Sequence, residues 1–311
     1  TFTNGDAAAP AINIGGVTNN GYDLIVGYAD RKGDFGYSLS ANISSYTNVV
    51  DALDNPDSRI FGYGSRVPSM TVTQQGAEIS SFYGFKVLGI FQSQSEADAW
   101  APYGTYNSPG KFKIEDTNSD GQINDSDRGI IGSPHPDYTY GLNLNLDYKN
   151  WSLNVFGNGS QGNELFNYVR FFADFNSFQG NRSTRALRDA WQPSNPAAPK
   201  SQWTAANPNA TSPIMDANDQ TSSRVSTYLI EDGSYFRIKN IQLTYNFDDT
   251  INSLLGIAGG QVYLQAQNMI TITDYSGLNP EIQTGADTTI GFDGGYMPVS
   301  KTVLVGLNIN L

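Results

Sequence analysis

Cysteine is absent from all 311 residues, and histidine occurs once, at position 135. Without cysteine there is no disulfide, no thiol nucleophile and no zinc–thiolate site. His135 sits between Pro134 and Pro136, so a histidine-dependent triad has one candidate, and no Gly-x-Ser-x-Gly elbow accompanies it. The chain is therefore not expected to be an enzyme. Basic residues are scarce: 18 Lys and Arg against 30 Asp and Glu leave a formal net charge of −12. Neutralising phosphates takes clustered Lys and Arg, so nucleic acid is excluded as a partner. No apolar run approaches the roughly 18 residues that a membrane-spanning helix needs. Neither Met nor a leader opens the chain at Thr1, which reads as a cut or processed start.

What is present is alternation. From Asp137 to Tyr148 every even position is apolar (Tyr138, Tyr140, Leu142, Leu144, Leu146) and every odd one polar or Gly. Period two places one face against something apolar and the other against water. The same pattern predicts seven strands, at 22–30, 34–46, 137–148, 151–161, 233–247, 260–272 and 300–311. Their wet faces carry Asn, Ser, Thr and Gly, as a hydrated lumen would, rather than the Lys and Glu of a sandwich surface. Aromatic residues gather at strand ends (Tyr22, Tyr138, Tyr148, Trp151, Phe247), where interfacial girdles belong. Between Lys239 and Asn240 the apolar phase slips from even to odd, which predicts a β-bulge.

Connection lengths point the same way. Asp30–Gly33 and Lys149-Asn150 are tight turns, whereas 47–136, 162–232 and 273–299 are long loops. Short turns at one end and long loops at the other describe an outer-membrane barrel. Seven strands cannot close one, because open edges in lipid leave unpaired backbone groups, each costing several kcal/mol. The fold expected is all-β: the C-terminal part, about seven antiparallel strands, of a large transmembrane β-barrel with long extracellular loops. Residues 1–311 would be that portion, with a plug domain and the first strands supplied from outside this chain.

One loop carries a ligation pattern. Asp116, Asn118, Asp120, the Gln122 carbonyl and Asp127 fall at positions 1, 3, 5, 7 and 12 of an acidic loop, with Gly121 at position 6. Oxygen ligands at that spacing suit one structural Ca²⁺. The competing reading is a metal-free hairpin of Asx turns.

Several segments, taken in order, resemble the SusC/RagA family. They include Phe82-Tyr-Gly-Phe85, Gly89-Ile-Phe-Gln92, Asp116–Gly121, Ile131-Gly-Ser-Pro134, Tyr138-Thr-Tyr-Gly141, Glu231–Asn240, Tyr275-Ser-Gly-Leu-Asn-Pro-Glu281 and Gly306-Leu-Asn308. The resemblance covers nearly the whole chain; Leu311 departs from it, standing where an aromatic usually ends such barrels. It implies a TonB-linked outer-membrane transporter of Bacteroidetes-type, Gram-negative bacteria, with a 22-stranded barrel of which this chain supplies the last seven strands. It also implies a TonB-contacting segment and plug elsewhere. A SusD-like lipoprotein would act as a lid, and the cargo would be an oligosaccharide or, in some members, a peptide.

The loops hold the candidate contacts. Phe166, Tyr168, Phe171, Phe172, Phe175 and Phe178 cluster with Arg170 and Asp174. Arg170, Phe171, Phe172, Asp174 and Trp203 are candidates for a ligand or partner, although most of these rings are expected to pack the long loop into its own small core on the barrel mouth. Ser95 to Trp100 reads as a short helix capped by Ser95. Gln192 to Pro213 reads as an extended cover. Two other functions fit less well: a soluble all-β lectin or adhesin with a structural calcium loop, and a passive porin.

Overall fold

The computed structural model describes residues 15–64, 66–175, 180–219, 221–282 and 286–311. Among these, seven strands form one antiparallel sheet in chain order. They are β1 (Gly15–Lys32), β2 (Phe35–Leu53), β3 (Tyr138–Tyr148), β4 (Trp151–Gln161), β5 (Tyr235–Asn246), β6 (Gly259–Thr273) and β7 (Thr302–Asn310). No helix of the described residues is long and apolar enough to cross a membrane, which says nothing of strands.

The register converts alternation into two unlike faces. One row across the sheet runs Tyr28, Leu39, Leu144, Val155, Ile241, Ala266, Val303. The row beside it, on the opposite face, runs Ala29, Ser38, Asn145, Asn154, Gln242, Gln265, Leu304. On that face the side-chain amides bond sideways. Asn145 donates to Ser38 (3.1 Å), Asn154 to Asn145 (2.6 Å), Asn240 to Asn154 (3.2 Å) and Gln265 to Asn240 (2.7 Å). On the apolar face Leu39, Val303 and Val305 are exposed, the last 76% so. An aromatic row, Phe35, Tyr148, Trp151 and Tyr245, closes the short-turn end of that face. Gly159 on the same face lies beneath Tyr140 and Phe236, which stack 5.9 Å apart; a Cβ there would meet the Tyr140 ring at 2.5 Å.

A sheet that turns its apolar side outward builds no core of its own, so the core forms in the loops. Met70, Phe82 and Phe85 from the first long loop pack with Phe166, Trp191 and Leu229 from the second, and Phe292 of the third packs against them. A four-stranded sheet (Arg59–Gly64, Val67–Gln74, Ser81–Gly84, Gly129–Gly132) organises the first loop. A three-stranded sheet (Ile230–Asp232, Glu164–Asn167, Phe292–Asp293) ties the second loop to the third. The third also meets the first, where Thr71 donates to the Thr288 carbonyl (2.5 Å) and only a glycine at 62 leaves room.

The expected bulge is present: the register of β5 shifts between Ile238 and Asn240 against both neighbours. Three local details differ from expectation. β1 and β2 run well past 22–30 and 34–46, because Thr18, Asn19 and Asn48 keep the hairpin paired through polar contacts that alternation does not mark. The helix Gln94–Ala99 is capped by Ser93, whose hydroxyl accepts from Glu96 N, rather than by Ser95. The β5–β6 connection holds a short helix, Asp249–Leu255, capped by Asp248 and ended by Gly256 at φ +68°.

Candidate functional site

The acidic loop is ordered by its own backbone. Asp116 accepts from the N–H groups of Asp120 (3.2 Å) and Gly121 (2.9 Å), and Asp120 accepts from Gln122 N (2.8 Å). Asn118 accepts from Asp120 N (2.9 Å). Asp127, almost fully buried, accepts from Thr117 N (2.9 Å) and Asn124 N (2.8 Å) and closes a capping box with Asn124. Gly121 takes φ +82°, as the sixth position of such a loop requires. These N–H donors offset the mutual repulsion of three carboxylates. A carboxylate that accepts two N–H groups keeps further lone pairs, so the donor chemistry suits a hard cation. Its geometry does not gather: among the described residues no three His, Cys, Asp or Glu side chains converge as a metal site would.

The aromatic loop spends its residues on itself. Asn167 caps the helix Tyr168–Ala173, on which Phe171 is buried against Tyr168 (5.4 Å) and Phe172 (5.2 Å). Phe178 lies outside the described residues. Arg170 pairs with Glu231 (3.0 Å) and Asp174 (3.3 Å) and lies over the Tyr228 ring at 4.1 Å. Asp174 is buried, taking Arg185, Ser183 and the Tyr228 hydroxyl as well. Trp203 packs instead on Trp191, 6.3 Å away, and donates to the Ala198 carbonyl. Of the five candidate contacts, then, four belong to one packed helix and its ion pairs, and the fifth to the cover segment. A cavity of about 300 Å³ opens beside that helix, between Val169, Arg170, Arg185 and Leu278.

Burial by itself would raise the Glu231 carboxyl, but Arg170 and donors from Ser276 and Asn167 outweigh it and hold it below the usual carboxylate range. Burial likewise opposes ionisation of Asp219, and Ser222, Thr221 and Lys111 reverse the effect.

Sequence reading missed a second buried polar cluster. Arg237 of β5, nearly fully buried, donates to Thr271 (2.9 Å), Asn279 (2.7 Å) and Glu281 (2.6 Å). Lys239, the bulged residue, reaches the same Glu281 carboxylate at 2.5 Å. Glu231 holds the other end of this segment through Ser276 N (3.0 Å) and Oγ (2.9 Å). Glu231–Asn240 and Tyr275–Glu281 are thus each other's binding partners. The available signal was alternation itself, which puts Arg237 and Lys239, two residues apart, on one face; the bulge adds Asn240 beside them.

His135 places Nε2 2.9 Å from the Ile79 carbonyl oxygen, a structural contact.

No protein-family model matches the chain. It is 31% identical over 307 residues to TonB-dependent receptor P3 of Formosa agariphila, a match covering 96% of this chain and 29% of that receptor. It is 27% identical to TonB-dependent receptor SusC of Bacteroides thetaiotaomicron, covering 96% and 27%. The fold matches the RagAB peptide transporter with a TM-score of 0.71 at 22% identity, covering 96% of this chain and 30% of that one. The chain therefore spans under a third of the length of these relatives, which are named as receptors and transporters rather than enzymes. The chain belongs to the SusC/RagA family of TonB-dependent receptors, and its seven-stranded sheet is part of the wall of an outer-membrane β-barrel.

Proposed function

We propose that the protein containing this chain imports a glycan or peptide across the outer membrane, driven by TonB, with a SusD-like surface lipoprotein as its lid. One observation carries the reading: three long loops condense into a single packed body at one end of a wall whose inner face is lined by neutral amides. A loop body of that size is more than a passive pore requires, and it offers a lid a firm surface. Other parts of the polypeptide would supply the remaining strands, the plug and the segment that meets TonB. A glycan is the favoured cargo, because the amide ladder suits hydroxyl-rich solutes; a peptide is the alternative, as handled by the structurally similar RagAB. The soluble lectin reading loses support from the uncovered apolar rows of the sheet.

Deleting the gene should abolish growth on one polymer class while leaving simple sugars and amino acids usable. Purification in mild detergent should bring a surface lipoprotein down with the receptor. A solitary receptor with full uptake would refute the lid.

Calcium in the Asp116–Asp127 loop is proposed as a structural clip only. It would draw together carboxylates that the backbone already orients, and it has no part in transport chemistry.

A further inference from the structure

Small residues on the outer, apolar face of the wall leave hollows, and rings of this chain fill three of them. A Cβ at Gly157 would meet the Phe236 ring at 2.7 Å, one at Gly159 the Tyr140 ring at 2.5 Å, and one at Gly260 the Phe247 ring at 2.5 Å. Ala41 is treated differently. It stands between Val26 and Leu142 in its row, and the row beside it holds Leu24, Ile43 and Tyr140. Over Ala41 an open trough of about 380 Å³ follows β2, with Leu24 and Val26 on one side and Tyr140 and Leu142 on the other. Tyr138, the first residue of β3, stands at its loop end. The row of Phe35 marks the short-turn end of the same face. At ~3.3 Å per residue and a tilt of ~40°, Ala41 lies roughly 15 Å above that row, in the outer half of an apolar band about 25 Å tall.

The position of the trough decides what can occupy it. A plug would lie on the opposite, lumenal face. A strand added at the free edge of β1 would be two strands from β2, about 10 Å away, with Leu24 and Val26 between. Tyr140 crosses a single strand spacing to cover Gly159. Irregular loops do not lie against lipid within the hydrocarbon layer. A second barrel, convex like this one, would present isolated side chains to a continuous trough. Lipid hydrocarbon therefore fills it. Between a bilayer and an apolar wall the hydrophobic effect gives no preference, and packing decides. An unbranched chain lying in the trough touches protein on three sides instead of one and gains dispersion contacts accordingly. The lining carries no charge, so it suits the chain of a lipid and not its headgroup. The Tyr138 end suits the headgroup boundary, where aromatic side chains gather.

We propose that the trough over Ala41 is a lipid site that holds one acyl chain of an outer-leaflet glycolipid, lipopolysaccharide, along β2. The site does not depend on what the receptor imports. Full-length receptor, extracted from its own outer membrane in mild detergent, should retain one lipopolysaccharide in native mass spectrometry after exchange into a second detergent. Ala41→Phe fills the trough and should lower that occupancy about tenfold, as the loss of a few packed methylenes predicts. Val303→Phe adds the same ring elsewhere on the outer face and should leave the occupancy unchanged. Equal retention by Ala41→Phe would overturn the proposal. So would retention of no lipid, or an occupant lost from Ala41→Phe that proves to be a glycerophospholipid or a second copy of the receptor. A second measurement needs no variant. Lipopolysaccharide added to the delipidated, unsubstituted receptor should raise its melting temperature. No rise, or an equal rise with a glycerophospholipid, would overturn the site even if Ala41→Phe fails to assemble.

Discussion

Single carboxylates hold the turns of the loops, and Asp127 shows how. Its two oxygens hold the N–H groups of Thr117 and Asn124, which start and end a turn that no strand supports. Replacing it by Ala removes both acceptors and the capping box, and should cost about 1–2 kcal/mol. A lower melting temperature of the purified receptor, without loss of strand signal, is the expected result. Calcium is checked on the same protein. If the loop holds an ion, EGTA should lower the melting temperature of the unsubstituted receptor and leave Asp120→Ala unmoved. An ion at a hundredfold its Kd would stabilise by about 2.7 kcal/mol, a shift large enough to see. No response to chelator in either protein leaves the loop as Asx turns alone.

Between elements, the decisive contact is the clamp of β5 on the 275–281 segment. Arg237 is almost wholly buried, and Glu281 supplies one of its three acceptors while also neutralising Lys239. Removing one partner of a buried pair leaves the other uncompensated, typically at about 3–5 kcal/mol; the partial exposure of Glu281 argues for the lower figure. Glu281→Ala should therefore loosen the third loop, seen as faster amide exchange over 274–282, while β5 and β6 stay protected. Equal exchange in both proteins would show the clamp to be dispensable. The facing of the sheet is tested one residue apart. In the assembled barrel, a fluorophore on Leu144→Cys should be quenched from the bilayer, and one on Asn145→Cys should not; the reverse would overturn the assignment.

At the scale of the whole molecule, three loops share one core and a small number of buried charges. Glu231 and Asp219 both have carboxyls held below the ordinary range, after burial is outweighed by cations and donors. A depressed folded value means their contribution is present above the unfolded carboxylate pKa and is lost as pH falls through the folded one. The loop body should accordingly become protease-sensitive below about pH 4 while the barrel wall persists, since its ladder is built from uncharged amides. Glu231→Gln should flatten that acid dependence and lower stability at neutral pH, because a neutral amide no longer balances Arg170. A loop body that resists protease unchanged down to pH 2 would contradict this.

Local chemistry alone determined the wall. Alternation with period two, neutral residues on one side and tight turns between strands specify a two-faced sheet, and the slip at Lys239 was legible because a bulge must shift phase. Gly121 and the Asp spacing likewise announced a turn-rich acidic loop. A loop core was legible from its rings, but not which of them meet across loops, because Phe82, Phe166 and Phe292 lie far apart in the chain and follow no period. Nor was the pairing of Arg237 with Glu281, 44 positions away: opposite charges are common, and only packing selects which of them meet. Tertiary structure also decided that Phe171 and Asp174 are buried. Periodicity reports the neighbour above and below a residue in its own strand. Contacts between loops depend on where the wall delivers their ends, and that is a property of the assembled sheet.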